Sequence, residues 1–211
     1  MDTANDFRIK FAEKGLSELE KIVQNLKVQK RKEILGRIRI MSSLLQTVKY
    51  SYVRSEELEE LDEFKKLVNE AKSVRKLIKS SENDFNAIQA NYWLEYIEKL
   101  PELMKRGEID NPCLAIRFFA GEIVNRGEVE KNKLWFCVVD CGFRIIVVTN
   151  SPEFLPGKTA VLAYLPPRRF KNFISRGMFV CVSNKDKGEL DVEDIKKYCS
   201  GDVEAAILSF M

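Results

Sequence analysis

The chain has 211 residues, 45% of them apolar, which is enough to bury a sizeable core. The chain has 35 Lys and Arg against 32 Asp and Glu, so it is not a polycation. Any nucleic-acid surface must therefore come from local clustering of positive charge. The chain contains no histidine, which excludes histidine-based triads and histidine metal sites. The N-terminus lacks the apolar stretch of a signal peptide, and no segment approaches the roughly 20 apolar residues of a membrane span, so we expect a cytoplasmic protein without a membrane partner.

The first 108 residues are predicted to be helical. They contain no proline before Pro101 and only two glycines before Gly107. Apolar residues recur at helical spacing in four runs, at 16–26, 34–48, 58–78 and 85–100. Residues 80–84 have the composition of a break with helix-capping side chains. This pattern predicts three or four antiparallel helices, arranged as a bundle or as long helical hairpins.

The composition changes at residues 107–112, after which Val, Ile, Phe and turn residues dominate. Strands are predicted at 115–124, 134–140, 143–149, 159–165 and 178–183, with a tight turn at Cys141-Gly142. Five short strands suit a small Greek-key barrel of the OB-fold type. After residue 188 the chain becomes acidic and helical, at 191–198 and 203–210. We therefore predict an α+β protein with an α-helical domain (1–108), an OB-fold (112–187) and an acidic helical tail (188–211).

Charge separates along the same divisions. Residues 111–187 hold 12 Lys and Arg against 6 Asp and Glu, whereas residues 188–211 hold 2 against 6. In the helical part, residues 27–49 hold 7 cations against one acid, and an acidic stretch follows at 56–63. These two stretches either compensate one another across neighbouring helices or provide a second RNA surface, and we favour compensation.

Five segments in order resemble the tRNA-binding domain family, which includes the structure-specific tRNA-binding proteins, the C-terminal appendix of many methionyl-tRNA synthetases and the endothelial monocyte-activating polypeptide. The segments are FFAGEIV (118–124), NKLWFCVVDCG (132–142), FRIIVVTN (143–150), FLPGKTAVLAYLPPRR (154–169) and the Ser-x-Gly-Met signature at Ser175–Met178. The resemblance covers residues 115 to about 183. It departs from the family pattern at 128–132, at Asn172, where glycine is usual, and at Ile174 and Arg176, where acids are usual.

The resemblance implies a non-catalytic tRNA-binding module that recognises the shape and backbone of tRNA, with little base reading. The predicted RNA-binding residues are Lys133, Trp135, Arg168, Arg169, Lys171, Ser175 and Arg176. We expect the proline pair Pro166-Pro167 to end the fourth strand and to anchor the arginines on a short loop. Charge alone favours a solvated loop, and the resemblance favours phosphate binding. Trp135 is predicted either to stack a base beside Lys133 or to pack at the barrel edge.

Two other functions are compatible with the sequence. The helical half could make the protein an interaction or scaffold module, with a second copy of the chain or an aminoacyl-tRNA synthetase as partner. An RNA-modifying enzyme is a further alternative, but the lack of histidine and of clustered acid–base residues argues against it. Cys137 and Cys141 stand four apart without a second pair, so we expect neither a zinc site nor any cofactor.

Overall fold

The computed structural model describes residues 3–78 and 84–211. The chain divides into two compact units. The first consists of the residues up to Ala115 together with Phe210 and Met211, and the second consists of Ile116–Ser209. No helix within the described ranges is long and apolar enough to cross a membrane.

The first unit is a bundle. Its described residues form four α-helices: α1 (Phe7–Asn25), α2 (Arg31–Lys49), α3 (Asp62–Leu77) and α4 (Phe85–Met104). Short 3-10 turns lie at Ser55–Glu60 and Pro112–Ala115. Helices α1 and α3 each pack against both α2 and α4, so the four surround one apolar core. This bundle confirms the helical prediction for the N-terminal half.

The start of α4 follows the predicted break. Residues 80–83 of that break lie outside the described residues, but Asp84 does not. Its carboxylate accepts hydrogen bonds from the backbone nitrogens of Asn86 (3.0 Å) and Ala87 (3.4 Å). Asp84 therefore caps α4 by satisfying backbone donors that the first turn leaves without partners.

A buried arginine ties the beginning of the bundle to its end. Arg8 is fully buried and pairs with Asp6 at 2.6 Å. Its guanidinium also donates to the carbonyl oxygens of Leu103 (2.7 Å) and Gly107 (2.8 Å). A buried charge is tolerated only when it is paired and hydrogen-bonded, and both conditions hold here.

The two glycines within the described helices of the bundle have different surroundings. Gly15 lies in α1 against Trp93, and a Cβ atom there would stand 2.4 Å from Trp93 Cε3. Gly36 lies in α2 with no atom within 4 Å of where its Cβ would be. Gly15 is therefore required for the close packing of α1 on α4, whereas Gly36 is not.

Three cations of α2 are paired with acids, but not with the predicted ones. Three ion pairs join α2 to α1 and α3: Lys49–Glu13 (2.8 Å), Arg39–Glu20 (3.2 Å) and Arg37–Glu70 (2.9 Å). The hydrogen bond that Lys49 Nζ donates to the Glu13 carboxylate raises the pKa of Lys49. The expected pairing with the acids at 56–63 is therefore wrong for these three cations, because the neighbouring helices supply the acids instead.

The second unit is built on antiparallel strands. The strands are β1 (Phe118–Glu130), β2 (Leu134–Asp140), β3 (Arg144–Thr149), β4 (Thr159–Phe170), β5 (Phe173–Ser183) and the two-residue β6 (Gly188–Glu189). The sheet order is β3-β2-β1-β4-β5, and β6 pairs with β1. Two helices follow, α5 (Val192–Tyr198) and α6 (Gly201–Leu208). The α+β class is confirmed, and the tail forms the two predicted helices.

The outermost strands β3 and β5 lie side by side without a backbone ladder between them in the described sheet. One hydrogen bond links them: the backbone nitrogen of Val148 donates to Ser175 Oγ at 2.9 Å. The structure therefore shows a curled five-stranded sheet with a short sixth strand, and the closed OB-fold barrel remains a prediction.

The fourth and fifth strands extend beyond their predicted ends. Pro166 and Pro167 lie inside β4, where the pairing with β5 shifts register between Tyr164 and Arg168. A proline has no N–H to donate, and a bulge is where a strand tolerates one. The prediction that Arg168 and Arg169 stand on a loop is therefore wrong, since both belong to β4.

Candidate nucleic-acid interface

The tips of two hairpins lie side by side in the second unit. The β1–β2 hairpin turns at 131–133, and the β4–β5 hairpin turns at 171–172. The rings of Phe136 and Phe173 stack nearly parallel, with centroids 4.3 Å apart and planes at 14°. We use the name hairpin-tip site for Glu130, Lys133, Phe136, Lys171 and Phe173. Sequence separation hid this juxtaposition, because the two hairpins lie far apart along the chain.

Three charges meet at the hairpin-tip site. Lys171 Nζ is 3.4 Å from Glu130 Oε2, and Lys133 Nζ is 3.7 Å from Glu130 Oε1. Lys171 Nζ also reaches the carbonyl oxygen of Val129 at 3.5 Å. The side chains of Lys133 and Lys171 are 76% and 59% exposed. Two predicted RNA-binding cations are thus brought together at the surface, around one carboxylate.

The outer face of β2 and β3 is apolar yet only half-buried. Phe136, Val138, Ile146 and Val148 have intermediate exposure, whereas the alternating residues Cys137, Val139, Ile145 and Val147 are buried. Gly127 makes room for Phe136, because a Cβ there would lie 2.4 Å from Phe136 Cε1. The continuous apolar run 134–139 was the sequence signal for this surface, since a half-solvated strand normally alternates with polar residues.

A cation lies over the ring of Trp135, and it belongs to a residue outside the predicted RNA-binding set. Lys133 belongs to the turn before β2, so it does not alternate with Trp135 along a strand. Instead the guanidinium of Arg126 lies over the Trp135 ring, 4.4 Å from the centroid. Arg126 also donates to the carbonyl oxygen of Pro152 at 3.2 Å. The contact between Arg126 and Trp135 could not be predicted from local sequence, because only the register of β1 with β2 brings the two side chains together.

The arginines of β4 are exposed, and they face opposite ways. Arg168 pairs with Ser175 across the ladder, and Arg169 pairs with Ile174. Neighbouring residues of a strand point to opposite faces, and directly opposed residues share a face. Arg168 therefore shares a face with Ser175 and, two residues along β5, with Phe173. Arg168 Nη2 donates a hydrogen bond to Ser209 Oγ at 3.4 Å.

Ser175 lies inside the protein. It is 3% exposed, accepts from the Val148 nitrogen and donates to the carbonyl oxygen of Gly177 at 3.0 Å. Its neighbour Arg176 is half-buried and stands opposite the bulge at 165–167. Gly177 permits a close approach of β4, because a Cβ there would be 2.5 Å from Ala163 O. The Ser-x-Gly stretch thus holds β5 against β3 and β4.

The cysteines of β2 and its turn are held in the neutral form. Burial raises the pKa of the Cys137 thiol and raises that of Cys141 to about 12. Thiolates, not thiols, are the nucleophiles and metal ligands. Neither side chain is therefore a ready nucleophile at neutral pH.

Two family models match the chain. Residues 1–107, just over half of the chain, match the family described as "Alpha helical domain", and residues 118–200 match the one described as "Putative tRNA binding domain". No curated protein matches the sequence. The second match contains every predicted RNA-binding residue and confirms the resemblance drawn from the motifs.

Proposed function

This chain belongs to the alpha helical domain family and carries a domain of the tRNA-binding family at residues 118–200, and we propose that it is a non-catalytic, cytoplasmic tRNA-binding protein. Its RNA surface is the basic edge formed by the β1–β2 and β4–β5 hairpins. The observation that carries this proposal is the meeting of Lys133 and Lys171 at the hairpin tips, beside a strand bearing Arg168 and Arg169.

The strand order supports an OB-fold. A sheet of order β3-β2-β1-β4-β5 becomes that barrel when β3 meets β5, and Ser175 links those two strands. In OB-folds the outer face of strands 2 and 3, with the 1–2 and 4–5 connections, binds oligonucleotides. In this chain those positions hold Phe136, Lys133 and Lys171.

The chemistry of the edge suits a phosphate backbone. Guanidinium groups form paired hydrogen bonds with phosphate oxygens, and ammonium groups contribute point charges. Because Arg168 and Arg169 face opposite ways, they serve different phosphates or different strands of a folded RNA. Backbone contacts fix position without reading sequence, so we propose recognition of tRNA shape.

An interaction module is the second candidate. In the first unit Tyr50 and Tyr52 are 56% and 64% exposed, and tyrosine is enriched where proteins contact one another. A synthetase or a second copy of the chain would be the partner. A dimer belongs to this candidate, and sedimentation equilibrium giving a mass of 24.4 kDa at micromolar concentration would contradict it.

The proposed function is tested by measuring the affinity of the full chain for two unrelated tRNAs over a series of salt concentrations. We expect similar affinities for both, and a linear fall of the logarithm of affinity with that of salt. Absence of tRNA binding at low salt would overturn the proposal and leave the interaction module as the better account.

A further inference from the structure

We propose that the hairpin-tip site binds one unpaired nucleotide, with its base on the ring of Phe173 and a phosphate in the place that Glu130 occupies between Lys133 and Lys171. This inference rests on the proposed function and adds to it a class of ligand: single-stranded RNA. A duplex hides the faces of its bases, whereas an unpaired nucleotide offers both a ring face and a phosphate.

The ring pair forms a platform. Gly127 backs Phe136, and Phe173 stacks on Phe136 at 4.3 Å with nearly parallel planes. Phe136 and Phe173 are both only half-buried, although Cys137 next to Phe136 is buried. Parallel planes let a third flat ring continue the stack, and every base has a face that can do so. Removing such an aromatic ring typically weakens binding by about 5- to 150-fold per base.

Glu130 holds the position of an anion. Its two carboxylate oxygens each approach one ammonium group, at 3.4 Å and 3.7 Å, and its side chain is 44% exposed. Carboxylate and phosphate offer the same anionic oxygens to lysine. A phosphate entering between Lys133 and Lys171 must therefore displace Glu130, whose negative charge then opposes binding.

The two halves of the site are within reach of one nucleotide. Lys171 and Phe173 are two residues apart, so their Cα atoms are separated by at most about 7 Å. Arg168, on the same face as Phe173, extends the positive charge along β4. The site therefore combines a flat apolar surface with cations, which is how single strands are bound without sequence preference.

The experiment uses the full chain and an oligouridylate of about ten nucleotides with a single 2-aminopurine, a length within the range that one such fold covers. Affinity and 2-aminopurine fluorescence are measured for the parent, for Glu130→Gln and for Phe173→Leu. Matched controls are Glu122→Gln, which removes an exposed charge from the same strand, and Phe143→Leu, which removes an aromatic ring 41% exposed at the other end of β2. A blunt RNA duplex of the same length is the comparison ligand.

We expect E130Q to bind the oligouridylate about two- to fivefold more tightly than the parent, because one opposing charge is gone. F173L should bind it at least about fivefold more weakly, with duplex binding unchanged. Binding to the parent protein should quench the 2-aminopurine fluorescence, because the base stacks on Phe173. This measurement does not depend on the folding of any variant. E130Q no tighter than E122Q, a folded F173L no weaker than F143L, or no quenching while tRNA still binds would each overturn this inference alone. Loss of tRNA binding as well would overturn the proposed function.

Discussion

Ser175 Oγ accepts a hydrogen bond from the backbone nitrogen of Val148 at 2.9 Å and so joins the two outermost strands of the sheet. The same hydroxyl donates to Gly177 O at 3.0 Å. A buried serine that satisfies one donor and one acceptor on two segments fixes their spacing. This bond gives the Ser-x-Gly-Met signature a structural role: it brings β5, with Phe173 and Arg176, against the β2–β3 surface.

Replacing Ser175 by Ala should destabilise the second unit. The Val148 N–H and the Gly177 carbonyl would lose their partner, and leaving such groups unsatisfied costs about 1–3 kcal/mol. Chemical denaturation followed by Trp fluorescence measures the free energy of unfolding. Ser43→Ala, at an exposed position on α2, is the control and should change stability by less than about 0.5 kcal/mol. Equal stability of S175A and the parent would contradict this role.

Gly15 and Gly36, the glycines of α1 and α2, should respond in opposite ways to alanine. At Gly15 a Cβ would collide with the buried ring of Trp93. Overpacking costs about 1–3 kcal/mol, and a 2.4 Å approach to a buried ring places this site in the upper part of that range, above the roughly 1 kcal/mol that alanine gains in a helix. At Gly36 nothing opposes the helix propensity, so G36A should stabilise the bundle by about 0.5–1 kcal/mol. Thermal melts of both variants decide this, and a stabilised G15A would show that α1 and α4 can separate without loss.

The helices and the central strands were predictable from sequence, whereas the hairpin tips were not. Apolar spacing placed α1 to α4, and strand β2 was predicted at its observed bounds, Leu134–Asp140. Pro166-Pro167 predicts the end of a strand, because proline interrupts a ladder, but in the structure a bulge accommodates the pair inside β4. The Phe136–Phe173 and Arg126–Trp135 contacts depend on register and curvature, which no local pattern contains.

Lys171 offers a way to separate backbone strain from charge. Its φ is 53°, a left-handed conformation that costs a non-glycine residue about 1–2 kcal/mol. Lys171→Gly should be at least as stable as the parent, since that relief exceeds the roughly 0.5–1 kcal/mol entropic cost of glycine. Lys171→Ala removes the same charge and keeps the strain. Both variants should bind tRNA more weakly than the parent, and by the same factor. A glycine variant with the affinity of the parent would exclude Lys171 from the interface.

The domain boundary predicted at 107–112 is open to a protease test. Glu108 and Asp110 are exposed, and the segment lies between the helices and the strands. Each unit has its own buried core, so cleavage here should release a folded fragment beginning near residue 110. Mass spectrometry identifies the fragment, and its melting curve shows whether it folds. A chain resistant at this segment, with both halves insoluble when expressed alone, would indicate one fused core.

Replacing Arg168 and Arg169 together by Ala should weaken tRNA binding without unfolding the protein. Both side chains are exposed on β4, and surface substitutions usually change stability by less than about 0.5 kcal/mol. Each phosphate that the variant no longer binds should flatten the log–log salt dependence by about 0.7–0.9, by a similar amount for two unrelated tRNAs.

Lys196→Ala with Lys197→Ala is the matched control for that double variant, because it removes two exposed cations from α5 and lowers the net charge equally. Affinity and salt slope are measured for the parent and both double variants, with a melting curve for each. The single variants R168A and R169A then show which face of β4 meets the RNA, since the two side chains point opposite ways. If the arginine pair and the lysine pair give the same small change, the effect is one of net charge alone, and the hairpin edge does not hold phosphates.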